Sequence, residues 1–186
     1  MMPLLFVMSV YFLASASPPA HGFGGSGWLH PLTGMDHMLA MIAVGAWSAQ
    51  LGKHAVFSVP VAFVAAMLFG GIVGFEHVVL PGLEVGIALS VVLLGSAIAL
   101  ERRTPLFVAA IGVGLFGMCH GYAHGYEIPG LESKGVYAAG FLITTASLHV
   151  IGAVGGILIL DRAHGNRWLR CAGAMTATIG SYLLIR

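Results

Sequence analysis

Histidines and carboxylates lie inside or at the edges of hydrophobic segments of this chain. The clearest group runs from His30 to His37, contains Asp36, and opens a long apolar stretch instead of sitting in a polar loop. Ionisable side chains are costly at membrane depth, so they usually mark an ion or substrate path. Imidazole suits nickel, copper, zinc and iron, and a carboxylate offsets the charge of the ion. The pattern therefore predicts a site that handles a transition-metal ion.

A second group of such residues closes a later apolar stretch. His120 and His124 are four residues apart, so on a helix they share a face and could bind one ion, and Glu127 follows three residues later. In the first group, His30 and His37 are expected within about 20° of each other on one helix. Asp36 is expected about 100° from His37, where it could bind the ion as well or orient a neighbouring imidazole.

Several other polar residues have two interpretations. Alone, His30 is either a ligand or a helix cap ahead of Pro31, and His149, in the middle of an apolar stretch, is either a deeper ligand or a hydrogen-bonded packing residue. Glu84 lies at the end of an apolar stretch, where solvation is easy. Like Glu76 and His77, it is by itself more typical of a surface group.

The composition indicates the kind of protein that positions these groups. Of the 186 residues, 58% are hydrophobic and 8% are charged, whereas a soluble domain carries about 25% charged residues. The net charge of +1 does not suggest a nucleic-acid partner. Because lipid requires every backbone polar group to be satisfied internally, we expect an all-α, polytopic membrane helix bundle, in contact with lipid and able to form a homo-oligomer. The predicted spans are 31–50, 55–75, 83–100, 106–124, 136–160 and 168–185.

The first twenty residues have the features of a secretory signal peptide. A short apolar core from Leu4 to Ala14 precedes small residues and two prolines. We expect a signal peptide at 1–20 and a transmembrane metal-transport domain at 21–186; the alternative is a retained short first helix. With the mature N-terminus periplasmic, two basic residues lie outside and six lie on the cytoplasmic side, as the positive-inside rule favours. The six are Lys53, Arg102, Arg103, Arg162, Arg167 and Arg170.

The motifs of the chain resemble those of the HupE/UreJ family of small bacterial nickel or cobalt permeases. The matching segments are His30-Pro31-x-x-Gly34-x-Asp36-His37-x-x-x-Met41, Leu80-Pro81-Gly82-Leu83-Glu84 and His120-Gly121-x-Ala123-His124-Gly125-x-Glu127. The resemblance extends over essentially the whole chain. It implies an aromatic residue in the second span, either Phe69 or Phe75. It also implies that transport needs His30, Asp36, His37, Glu84, His124 and Glu127.

Together these observations predict a secondary or facilitative transporter of the bacterial inner membrane. The substrate is a divalent transition-metal ion, Ni²⁺ or Co²⁺, moved inward to supply a hydrogenase or a urease, as the family resemblance implies. We expect no cofactor and no enzyme activity. Two alternatives stay open, an intramembrane zinc-dependent hydrolase that activates water at a metal and an accessory protein that binds metal without translocating it. The expected metal site comprises His30, Asp36, His37, Glu84, His120, His124, Glu127 and His149.

Overall fold

A computed structural model of the chain describes residues 27–76, 80–101, 104–127 and 133–185. The predicted signal peptide, His77 and the side chain of His30 lie outside the described part. All regular secondary structure within the described ranges is helical, which confirms the all-α prediction. A short helix is followed by six long ones: α1 His30–Thr33, α2 Met35–Leu51, α3 Ala55–Gly74, α4 Leu83–Ala99, α5 Leu106–Tyr126, α6 Lys134–Leu160 and α7 Gly165–Ile185.

The ends of the long helices follow local chain chemistry. Gly52 and Gly82 have positive φ values of 71° and 81°, a conformation that glycine adopts without a steric penalty, and they flank α2 and α4. Pro105 directly precedes α5, where its fixed φ and missing N–H do no harm. The six predicted spans are therefore confirmed as helices, with ends that shift by only a few residues.

The first predicted span is interrupted at Gly34. This residue has φ −84° and ψ 112°, which is extended backbone, and it separates α1 from α2. A Cβ atom added here would lie 3.0 Å from His37 Nδ1 and 3.1 Å from Asp36 Oδ1, so glycine gives these side chains room to fold back over the break. The prediction that His30 and His37 share a face of one continuous helix is therefore wrong, because the helix is broken between them.

The helices have the length and apolar surface of membrane spans. Three of them, α3, α5 and α6, are long and apolar enough to cross a membrane, and α4 is a shorter apolar helix. Large hydrophobic side chains point outward from the bundle, among them Phe57 at 76% and Phe107 at 68% exposure. Such a surface suits lipid, so the chain is a membrane protein built as a helix bundle.

Helix α2 is the central helix of the bundle. Every residue from Ala43 to Ala49 is buried, and α2 contacts α3, α4, α6 and α7. A helix that is buried on all sides lies in the interior of a bundle. His37 stands in the first turn of this helix, so it is placed at one end of the protein core.

The long helices form three tightly packed pairs, α3 with α5, α4 with α7, and α2 with α6. Glycines allow the backbones to touch. Gly121 of α5 lies against the Met67 carbonyl of α3, and Gly45 of α2 lies against the His149 carbonyl of α6. Small residues permit this close approach between membrane helices. Not every helical glycine makes such a contact, since nothing lies within 4 Å of a Cβ built on Gly112 or Gly155.

Candidate metal centre

Three buried imidazoles meet where the central helix begins. The ring centroid of His37 lies 4.9 Å from that of His120 and 4.5 Å from that of His124, and both contacts are edge-on. None of the three residues is more than 2% exposed. His120 and His124 reach the same partner because they stand one turn apart on α5. We call Asp36, His37, His120 and His124 the histidine cluster.

The carboxylate of Asp36 fixes the orientation of His37. Its Oδ1 atom lies 2.7 Å from His37 Nδ1 and also accepts the backbone N–H of His37 at 2.8 Å. With Nδ1 protonated, the ring donates to Asp36 and presents Nε2 as its acceptor nitrogen. Metal-binding histidines are commonly held by a carboxylate in this way. Of the two roles expected for Asp36, the structure shows the orienting one.

His120 is oriented by its own helix. Its Nδ1 atom donates to the carbonyl of Phe116 at 2.8 Å, which leaves Nε2 as the acceptor. This Nε2 atom is buried and has no hydrogen-bond partner among the described residues. A buried polar group without a partner costs about 1–3 kcal/mol, and a metal ion or a water molecule would relieve that cost.

Aromatic side chains surround the histidine cluster. The ring of Phe63 lies 5.4 Å from His120 and 5.0 Å from His149, measured between centroids, and the ring of Phe141 lies 3.9 Å from His124. Phe63 is fully buried. These rings exclude water from one side of the cluster and strengthen electrostatic interactions within it.

Phe63 and Phe141 are aromatic residues of this site that sequence reasoning missed. The residues proposed instead are Phe69, which is 59% exposed on the outer surface of the bundle, and Phe75, whose ring lies 5.3 Å from Lys134 Nζ. One signal was available: Phe63 lies seven residues before Gly70, a small residue suited to helix contact, and this spacing places both on the buried face of α3.

The other predicted site residues occupy different places in the fold. Glu84 is exposed in the first turn of α4, and Glu127 is half-buried at the end of α5. His149 is buried in the middle of α6 against Phe63. His30 begins α1. Among the described side chains, the structure brings Asp36, His37, His120 and His124 together, and Phe63 links His149 to them.

A cavity of about 160 Å³ lies beside His124, between α3, α5 and α6. Apart from His124 and Tyr137, its lining is apolar, with Met67, Phe75 and Phe141 among the residues that form it. Desolvating an ion in such surroundings is expensive. The cavity is therefore unsuited to a hydrated cation, and the polar approach to the cluster is along Asp36, whose side chain is 22% exposed.

The donor atoms of the cluster do not converge on a single point. Within the described ranges, no group of three or more histidine, cysteine, aspartate or glutamate side chains is arranged to hold one metal ion. The imidazoles of His37, His120 and His124 pack edge to face, with interplanar angles of 74° and 72°.

Comparison with known proteins agrees with the motifs. The family described as HupE / UreJ protein matches residues 4–183. The chain is 42% identical over 182 residues to Protein HupE of Rhizobium leguminosarum bv. viciae, in an alignment that covers 97% of this chain and 95% of the relative. No solved structure matches the chain. The extent of the family match and the identity to this relative show that the chain belongs to the HupE/UreJ family.

Proposed function

We propose that this protein transports a divalent transition-metal ion, Ni²⁺ or Co²⁺, inward across the bacterial inner membrane. The observation that carries the proposal is the meeting of His37, His120 and His124 inside a membrane helix bundle, with His37 held by Asp36. Ionisable groups buried in such a bundle mark ion pathways. Imidazole nitrogen favours nickel and cobalt over magnesium and calcium, which prefer oxygen ligands.

The geometry of the cluster supports transport more than storage. No three described side chains are arranged around one point, so we expect an ion at the cluster to keep water in some of its coordination positions. Passage through a membrane requires binding that is strong enough to admit an ion and weak enough to release it. A rigid site with four converging ligands would hold the ion too tightly for this purpose.

The charge bias of the loops supports an orientation that suits inward transport. Six of eight Lys and Arg residues fall on the side that the positive-inside rule assigns to the cytoplasm. This orientation places the cleaved N-terminus, the start of α2 and the end of α5 on the periplasmic side, so the cluster faces the incoming ion. A divalent cation moving inward gains about 4.6 kcal/mol per 100 mV of membrane potential, which suffices for accumulation without ATP.

The role in metal supply follows from the family resemblance. We infer that the imported ion reaches a hydrogenase or a urease. Membership of a family that is not an enzyme family argues against the zinc hydrolase, and the buried cluster on the central helix argues against a purely peripheral metal-binding role.

Uptake by purified protein in liposomes tests the proposal. With an inside-negative potential, we expect Ni²⁺ and Co²⁺ to accumulate and His37→Ala to abolish accumulation, with His54→Ala in an exposed loop as the matched control. Binding without accumulation would favour the accessory protein. Metal-dependent cleavage of a peptide substrate without accumulation would favour the hydrolase.

A further inference from the structure

The middle of α6 carries two buried polar side chains that the histidine cluster does not include. Thr145 is fully buried and His149 is 2% exposed. The hydroxyl of Thr145 and both ring nitrogens of His149 have no hydrogen-bond partner among the described residues. They are four residues apart on one helix, so they lie on the same face, one turn above the other. We call this pair the Thr145–His149 position.

Thr145 differs from the two other fully buried serine and threonine residues that the structure describes, Ser48 and Ser90, whose hydroxyls donate to backbone carbonyls three residues earlier. The hydroxyls of Ser147, Thr176, Thr178 and Ser181 each donate to the backbone carbonyl one turn earlier in their helix. That carbonyl is the usual partner of a hydroxyl inside a helix. Thr145 does not use it, although it is more deeply buried than any of the four. Its hydroxyl is therefore available to a ligand inside the bundle.

The Thr145–His149 position lies deeper in the bundle than the histidine cluster. The backbone of His149 contacts the central helix at Gly45, which is eight residues, or about 12 Å of helix rise, beyond His37. The imidazole of His149 contacts Phe63 edge-on, and Phe63 also contacts His120. The order along the bundle is thus the cluster, then Phe63, then His149.

We propose that Thr145 and His149 form a second binding position for the transported cation, reached after the histidine cluster. This inference rests on the proposed transport function. The imidazole of His149 supplies one nitrogen ligand, the hydroxyl of Thr145 supplies an oxygen or holds a coordinated water, and water completes the coordination shell. Helix α6 contains no Asp or Glu, so this position has only neutral ligands, whereas the cluster includes Asp36. Successive weak positions let an ion move on after it has been captured.

Two substitutions separate this position from the cluster. Thr145→Val keeps the shape of the side chain and removes the hydroxyl, and His149→Gln removes the imidazole. Ser147→Ala is the matched control, because Ser147 lies on the same helix, is exposed, and uses its hydroxyl only for its own backbone. Thermal unfolding of each purified variant shows whether it folds. If His149→Gln does not fold, Thr145→Val still tests the proposal.

In liposomes, we expect each variant to lower the maximal rate of Ni²⁺ uptake by about tenfold, the scale seen when a metal-site neighbour is removed. The apparent KM should change by less than about twofold, because capture at the cluster is intact. In detergent, Co²⁺ titration followed by visible absorption should show two bound ions per chain for the wild type and one for His149→Gln.

The opposite outcomes are distinct. Wild-type uptake kinetics in both variants, with an unchanged number of bound Co²⁺ ions, would mean that Thr145 and His149 enclose structural water and bind no cation. A raised KM with an unchanged maximal rate would mean that His149 belongs to the capturing cluster. If the wild type itself takes up no Ni²⁺, the proposed function fails, and not this inference alone.

Discussion

At the scale of single residues, polar chemistry in an apolar sequence was informative. Asp36, His37, His120 and His124 stand out because a membrane segment has few reasons to contain them, and the structure brings these four together. Phe63 does not stand out by its residue type, since aromatic residues are common in apolar helices, and only its spacing from Gly70 indicates that it is buried. Glu84 and Glu127 belong to specific motifs, and the structure places them at the ends of α4 and α5.

Substitution of His37 or Asp36 should impair transport while the protein still reaches the membrane. We expect His37→Ala to abolish Ni²⁺ uptake. Asp36→Ala should weaken the apparent affinity by about 10–100-fold, because the imidazole loses the carboxylate that orients it. Ni²⁺ uptake and the abundance of the protein in the membrane are measured in the same cells. The controls are His54→Ala and His164→Ala, which change exposed loop residues. Normal uptake by both pair variants would remove the basis for the site.

Uptake should also weaken as the external medium becomes more acidic. An imidazole must be neutral to bind a metal, so protons and metal ions compete for it. Between about pH 7.5 and pH 5.5 the concentration of competing protons rises about a hundredfold, so the apparent KM for Ni²⁺ should rise at fixed membrane potential. His124→Gln should raise the KM at the higher pH and flatten its pH dependence. Superimposable wild-type curves at the two pH values would point to carboxylates as the capturing ligands.

At the scale of helices, the sequence predicts where each helix begins and ends better than it predicts which helices pack against each other. Glycine and proline mark most ends, and each long apolar run is a helix. The break at Gly34 was not foreseen because the apolar pattern continues through it, and the local contacts of Asp36 and His37 decide it. The choice of partners, such as α3 with α5, was not foreseen either. Helices with apolar residues on every side contain no pattern that selects one neighbour over another.

Adding a methyl group to a glycine of α5 should lower the stability of the protein only where that glycine contacts α3. Gly121→Ala places a methyl group against the Met67 carbonyl, so the helices must separate, and we expect a loss of about 1–3 kcal/mol in stability. Gly112→Ala on the same helix meets nothing within 4 Å and should be nearly neutral or slightly stabilising. The stability of the two variants is compared by unfolding in detergent. Equal stability would show that the close backbone contact at Gly121 does not contribute to stability.

At the scale of the whole molecule, helix directions agree with six full crossings. The contacts between α3 and α5 advance together along both helices, from Gly70 against Met118 to Gly74 against Tyr122, so these helices are parallel. Helices α4 and α7 are antiparallel, because Gly173 lies against Ala99 and Gly180 lies against Val92. In a chain that crosses the membrane with every long helix, the second and fourth spans are parallel, and the third and sixth spans are antiparallel.

Reporter fusions test the orientation of the bundle. A reporter active only in the periplasm should be active when fused after Gly82 or Glu132 and inactive after Lys53 or Arg103, because the loops rich in Lys and Arg are expected in the cytoplasm. A cytoplasmic reporter at the same four positions should give the complementary result. The reverse pattern in both series would place the histidine cluster on the cytoplasmic side and make it an exit site.

The hydrogen bonds that orient His37 and His120 join residues that are close in the sequence. His37 is held by the preceding residue, and His120 by the carbonyl four residues earlier in its own helix. Such contacts can form as soon as each helix enters the membrane, before α2 and α5 have met. The site therefore forms when α2 packs near α5, and by then the Nδ1 atoms of His37 and His120 are already protonated and hydrogen-bonded. A variant that slows docking should delay the appearance of transport activity without altering the affinity of the protein that matures.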